Sequence, residues 1–177
     1  MESQRIKLTP PSLAYADSMW TIIQESEAEL SEFLPWVSES LTLNKLKDNI
    51  EFAAEHYNNF SDDFWFNIIE KRTGAFIGAV GFIVRDPDVP YFEIGYWLST
   101  SMVGKGYISE AVKIIERFAF VDNKAQRVEI KMASSNVKSR AVAERCGYQF
   151  EAKLENGRRL VSGELDSTVI YVKTALE

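Results

Sequence analysis

The chain has 177 residues, 46% hydrophobic and 26% charged, which suffices for one substantial core and matches an ordinary globular composition. A net charge of −6 argues against general nucleic-acid binding, while one cysteine (Cys146) excludes an internal disulfide and one histidine (His56) excludes a Cys/His zinc cluster, so no metal is expected. No apolar run approaches the roughly 20 residues that cross a bilayer, and the polar start Met1-Glu2-Ser3-Gln4-Arg5 is unlike a signal peptide, so the expectation is one cytoplasmic domain over 1–177 with no membrane partner.

In chain order, Ile6-Lys7-Leu8 reads as a short strand and Thr9-Pro10-Pro11 as a helix start, a capping hydroxyl ahead of prolines. Leu13, Ala16, Trp20 and Ile23 recur at helical spacing. A second short helix is expected over 25–34, closed by the apolar turn Phe33-Leu34-Pro35-Trp36. Thr42 should begin a third helix with Leu43, Leu46, Ile50, Ala53 and Tyr57 on one face. From Phe64 the residues become aromatic and β-branched, predicting a strand over 64–69, a hairpin turn at Lys71-Arg72-Thr73-Gly74 and a return strand over 76–84. Asp86-Pro87-Asp88-Val89-Pro90 turns the chain into a strand over 92–98. A helix carrying Ala111, Val112, Ile114, Ile115, Phe118 and Ala119 follows, then an alternating strand over 127–132. Strand, helix and strand in that order imply a right-handed crossover and parallel pairing. A short helix near 137–145, an exit at Gly147, and strands over 148–154 and 167–174 complete an α/β chain, whose mixed sheet is antiparallel first and parallel in the middle.

The most informative stretch is Glu93-Ile94-Gly95-Tyr96-Trp97-Leu98 followed by Val103-Gly104-Lys105-Gly106-Tyr107-Ile108-Ser109. A strand, a glycine turn and a helix start make an anion cradle, because the first helical turn has N–H groups without intrahelical partners and the helix dipole is positive there. Glycines let the backbone approach closely, and phosphate is the usual guest. Lys105 is either a partner of that phosphate or a solvated loop lysine.

Together with Asn136-Val137-Lys138-Ser139-Arg140-Ala141-Val142-Ala143-Glu144-Arg145-Cys146-Gly147-Tyr148, this stretch resembles the GNAT acyltransferases. More narrowly it resembles their RimJ/RimL branch, which acetylates N-termini of ribosomal proteins, and the likeness extends from Phe33-Leu34-Pro35-Trp36 to the closing strand from Asp166 to Tyr171. The resemblance implies a GNAT-like fold, with the antiparallel meander followed by a splayed parallel strand pair, and acetyl-CoA as donor. Its pyrophosphate would lie on backbone amides of Val103, Gly104, Lys105, Gly106, Tyr107, Ile108 and Ser109. Its pantetheine arm would lie between the diverging strands, bonded to backbone near Trp97 and Leu98. Val103 stands where the family often has Gln or Arg, and Ile108 at a position that is usually small; backbone donors survive both changes.

By the same resemblance Asn136 and Ser139 contact the pantetheine and thiol region, with Ser139 the candidate acid for the departing thiolate; both residues also suit a helix cap. Glu93, on the strand leading into the donor site, is the candidate base or else a satisfied strand carboxylate. Cys146 is read as a small buried apolar residue, and His56 as solvated or capping. Trp20, Phe33, Trp36, Tyr57 and Trp65 line an acceptor groove or belong to the core. Arg158 and Arg159 fall in the final hairpin, where the branch meets its acceptor or a homodimer partner, or else they belong to a solvated hairpin tip. The expected reaction is direct acetyl transfer in a ternary complex to a protein N-terminal α-amine. The alternatives are a small amine (polyamine, aminoglycoside or amino acid) as acceptor, or a non-catalytic acyl-CoA-binding module.

Overall fold

The computed structural model describes residues 1–37, 40–86 and 88–176. Its centre is a seven-stranded sheet in the order β1-β2-β3-β4-β5-β7-β6. The strands are β1 (Ile6–Thr9), β2 (Asp63–Glu70), β3 (Phe76–Asp86), β4 (Tyr91–Leu98), β5 (Arg127–Ala133), β6 (Gln149–Arg159) and β7 (Leu165–Lys173). Among the described residues only β4 and β5 pair in parallel, joined by the crossover helix α4 (Tyr107–Arg117). The other helices are α1 (Ala16–Glu25), α2 (Glu27–Leu30), α3 (Leu43–Asn59) and α5 (Val137–Arg145).

The strands β2 and β3 are buried on both faces, so their alternate residues feed different cores. On one face Phe66, Phe82, Phe92 and Ile94 pack beneath Ala111, Val112 and Ile115 of α4. On the other, Ile69 and Phe76 pack against Met19 and Ile23 of α1 and Leu46 and Ile50 of α3. Thr42 caps α3 as its hydroxyl predicts, accepting from the Lys45 N–H at 3.3 Å. Gly74 closes the β2–β3 turn at φ +72°, whereas Pro87 of the next expected turn lies outside the described residues.

Three expectations change. Thr9 caps nothing: it ends β1 opposite Asn67, and Ser12 instead accepts from the Ala14 N–H at 3.2 Å at the head of a short 3-10 turn. The helix expected over 25–34 is only the single turn of α2, because its apolar residues Leu30, Phe33 and Leu34 do not maintain a stripe long enough to bury. The final hairpin is longer than its hydrophobic pattern suggests: β6 is almost wholly exposed, so alternation of burial could not mark its end.

Where β4 and β5 meet, pairing is short. The register Tyr91↔Arg127, Phe92↔Val128 and Glu93↔Glu129 ends there, while the strands run on to Leu98 and Ala133. Beyond Glu93, β4 remains bonded to β3 and β5 to β7, so the two diverge and leave a gap in mid-sheet.

Candidate active site

The gap opens into a cavity of about 870 Å³. One wall is the turn after β4, where Val103, Gly104, Lys105 and Gly106 lead into Tyr107, Ile108 and Ser109 of α4. Gly104 and Gly106 both stand at φ +81°, a left-handed conformation that a side chain would strain, and Gly106 is the residue from which α4 starts. The N–H groups of Tyr107, Ile108 and Ser109 belong to the first helical turn and have no intrahelical partner, so this wall offers donors and a positive dipole end. Arg145, whose Nε donates to Ser109 Oγ at 3.4 Å, and Lys138 bring positive charge to the same cavity. These groups fit a pyrophosphate.

Tyr96, Trp97 and Leu98 line the next stretch, on the diverging part of β4. The opposite wall comes from the β5–α5 turn and α5, through Ser135, Asn136, Ser139 and Val142. Asn136 caps α5, its Oδ1 accepting from the Ser139 N–H at 3.0 Å. The Tyr96 hydroxyl lies 2.9 Å from Ser139 Oγ and donates to the Ser139 carbonyl at 3.1 Å. Burial pushes the Tyr96 phenol well above its ordinary pKa, so it stays protonated at neutral pH.

Asp166 at the start of β7 holds this wall in place. Its carboxylate accepts from Ser134 Oγ at 2.5 Å, from Ser135 Oγ at 2.7 Å and from the Ser135 and Ser167 N–H groups at 3.1 and 2.7 Å. Those bonds, that from Ser134 first, hold its carboxyl far below the usual carboxylate range. Over the cavity, Thr100 donates its N–H to Ser26 Oγ at 3.1 Å and its hydroxyl to Glu29 at 3.3 Å, tying α2 to the segment after β4. Phe33 and Leu34 thereby reach the cavity, with Glu29 and Glu32 on its rim.

Every residue expected to touch the donor lines this one cavity, and Ser139 lies in it with Tyr96 behind its hydroxyl. Glu93 does not reach the cavity. It occupies the last β4–β5 rung, where its carboxylate accepts from Arg85 Nη2 at 2.6 Å and Nε at 3.0 Å and lies 3.4 Å from Lys131 Nζ. Two cations hold it at the closed end of the gap. Cys146 is buried at 3% exposure, its thiol directed to the Ser109 carbonyl at 3.6 Å and pushed up in pKa by burial, the setting of a small buried packing residue. His56 packs on Phe52 and approaches the Asp63 carbonyl at 3.1 Å, steadying the start of β2. Of the aromatic residues, Phe33 lines the cavity, Trp36 stands exposed with its ring centroid 5.9 Å from that of Trp97, and Trp20, Tyr57 and Trp65 pack against the cores.

Tyr96, Asp166, Glu29 and Glu32 were not foreseen as site residues. For Tyr96 a signal existed, since it sits two residues after Ile94 on the strand that enters the site; Asp166 acts across 32 positions of sequence and left none.

Residues 5–149 match the Acetyltransferase (GNAT) domain family. Over 175 residues the chain is 25% identical to the ribosomal-protein-serine acetyltransferase of Escherichia coli (strain K12), covering 97% of this chain and 93% of that protein. Over 65 residues it is 43% identical to a Bacillus subtilis (strain 168) protein provisionally named ribosomal N-acetyltransferase YdaF, covering 37% of this chain. The alignments to the Bacillus relatives span only 36% to 51% of those proteins. Among solved structures, the microcin C7 self immunity acetyltransferase MccE, determined in complex with acetyl-CoA and AMP, has a TM-score of 0.87 at 27% identity, covering 98% of this chain and 94% of that one. RimL, a ribosomal L7/L12 alpha-N-protein acetyltransferase in complex with coenzyme A, has a TM-score of 0.90 at 19% identity, covering 97% and 95%; at that identity the likeness is one of fold. With its mixed splayed sheet and most of its length matched, the chain belongs to the acetyltransferase (GNAT) domain family.

Proposed function

We propose that the protein is an acetyl-CoA-dependent N-acetyltransferase whose acceptor is a protein N-terminal α-amine, of the kind ribosomal proteins carry. Transfer is direct, within a ternary complex. The observation that carries this reading is a single cavity with an anion-holding turn on one wall and the Ser139 hydroxyl on the other, joined through the gap between β4 and β5.

Acetyl-CoA supplies the thioester as substrate. The amides of Gly106, Tyr107, Ile108 and Ser109 hold its pyrophosphate, and the diverging edge of β4 at Trp97 and Leu98 takes its amide-bearing arm as an added strand. A main-chain N–H there stabilises the carbonyl oxygen as it gains negative charge. The amine nitrogen bonds to the carbonyl carbon, the carbon–sulfur bond breaks, and Ser139 Oγ gives a proton to the departing sulfur while the proton shed by the amine nitrogen passes through water to restore the Ser139 hydroxyl. Tyr96, kept neutral by burial, orients that hydroxyl.

With Glu93 committed to Arg85 and Lys131, the acceptor should need little help in losing its proton. An α-amine, with a pKa near 8, is about one-tenth neutral at pH 7, whereas an alkylamine near 10.4 is almost wholly charged. Positioning then supplies most of the rate. Glu29 and Glu32 on the rim attract the cationic form before it binds. The name of the Escherichia coli relative aligned over the full chain supports a ribosomal-protein acceptor.

The MccE complex with AMP supports a second reading, a small-molecule amine acceptor. The two separate by intact-mass analysis of N-terminal peptides and of a small-amine panel after incubation with acetyl-CoA, with free thiol followed in parallel. Acetylated peptide supports the first reading and acetylated small amine the second. CoA binding without thiol release from any amine would make this chain a binding module and sink both.

A further inference from the structure

The glycine turn has an outer side as well as the one that lines the cavity, and a single side chain grips it there. Arg5 Nη1 donates to the Lys105 carbonyl at 2.9 Å, Nε donates to Glu110 Oε2 at 2.8 Å, and Nη2 lies 2.6 Å from the same oxygen. The guanidinium carbon sits 4.8 Å above the centroid of the Tyr107 ring, and a Cβ built on Gly106 would meet Arg5 Nη2 at 3.5 Å. One guanidinium therefore touches the carbonyl of the turn, the first aromatic of α4 and a carboxylate in its first turn.

The grip is rooted in the core. Arg5 leads into β1, whose Ile6 and Leu8 are buried at 0% and 2% exposure. Its own carbonyl accepts from the Lys71 N–H at 2.8 Å, and its N–H donates to Glu110 Oε1 at 3.3 Å. Ser3 Oγ donates to the same Glu110 oxygen. Burial would raise the Glu110 carboxyl, but the bonds from Ser3 and Arg5 hold it below the usual range, so it remains an anion for Arg5 to grasp.

A turn with two left-handed glycines has large conformational freedom, and ordering it only when a ligand arrives would cost affinity. We propose that Arg5 is a positioning residue for the donor site, fixing the turn at Gly104, Lys105 and Gly106 from outside so that its N–H groups already face the pyrophosphate. The proposal rests on the donor reading above. It assigns Arg5 no contact with the donor; the residue works through Lys105 and Glu110. A planar fork is required, because a lysine ammonium can hold the carboxylate or the carbonyl but cannot reproduce the arrangement across both.

The test is calorimetric titration of CoA into the wild-type protein and into R5A, R5K and E110Q, with steady-state kinetics on acetyl-CoA and on acetyl-pantetheine, which lacks the pyrophosphate. R5A and E110Q should each bind CoA about tenfold more weakly, with the KM for acetyl-CoA raised and kcat nearly unchanged. Their kcat/KM for acetyl-pantetheine should match the wild type, and R5K should recover only part of the affinity. Wild-type affinity in R5A overturns the proposal, as does full recovery in R5K, which would reduce Arg5 to a distant charge. If R5A fails to fold, E110Q removes the anion that Arg5 grasps while leaving Arg5 present, and wild-type affinity in that variant overturns it equally. Failure of the wild-type protein itself to bind CoA would sink the donor reading instead, so the two failures are distinct.

Discussion

The two walls of the cavity are built by different means. The β4–α4 wall is backbone: two left-handed glycines and the unpartnered N–H groups of a first helical turn, with side chains such as Val103 and Ile108 incidental to it. The β5–α5 wall is side chain: Asn136 caps Ser139, Tyr96 reaches it from β4, and Asp166 holds Ser134 and Ser135 from β7. A backbone wall tolerates exchange of its side chains and fails when its geometry or charge changes. A side-chain wall fails one hydroxyl at a time. On the proposed reading the first wall holds the donor, and the second does the proton chemistry.

The sharpest break in that contrast comes from Gly106→Glu, which sets a carboxylate against the phosphate and forces a side chain into a left-handed position. CoA affinity should fall at least about a hundredfold, measured by calorimetry. Gly106→Ala carries the strain without the charge and should fall less. Comparable affinity in the glutamate variant and the wild type would remove the phosphate from this wall.

On the other wall, Ser139→Ala should lower kcat about a hundredfold while leaving CoA affinity near wild type. Full turnover at saturating substrates would exclude Ser139 as the acid. Asp166→Asn comes next. It keeps the shape but weakens bonds from Ser134 and Ser135, so kcat should fall about tenfold through misplacement of the Asn136–Ser139 turn, again with little change in CoA binding. The same variant has a pH signature. Asp166 has its folded pKa depressed, so its stabilisation is complete above the unfolded value near 3.9 and is lost as pH falls toward the folded one. Acid melting curves of Asp166→Asn should therefore lose part of the fall in stability below about pH 4. An unchanged acid limb would mean that the carboxylate is not held as described.

The smallest effect is expected at Glu93, outside both walls. Glu93→Gln should leave kcat within about twofold, because only ion pairs with Arg85 and Lys131 are lost. Loss of about 1 kcal/mol would lower the melting temperature by about 2–4 °C. A fall in kcat of a hundredfold with an unchanged melting temperature would instead return Glu93 to the role of base.

Much of the fold was legible because burial enforces periodicity. The aromatic strands at 64–69 and 76–84, the amphipathic α4 and the cap at Thr42 all follow from local pattern. Legibility failed where local pattern competes with pairing. Thr9 has the chemistry of a cap, but opposite Asn67 it is a strand residue, and β6 is too exposed to show alternation. The site divides in the same way. Glycines between a strand and an amphipathic helix announce a phosphate-holding turn, whereas nothing in the neighbourhood of Glu93 announces Arg85 and Lys131.

What the amino-acid sequence determined by itself was the order of elements, the glycine turn and the anion-holding character of that turn, since these depend on conformational preferences within a few positions. Only the tertiary structure decided that β4 and β5 part after Glu93, that Tyr96 and Asp166 converge on the turn bearing Ser139, and that Arg5 grips the glycine turn from behind. Those are contacts between residues far apart in the chain, set by strand register and packing, and no local preference encodes them.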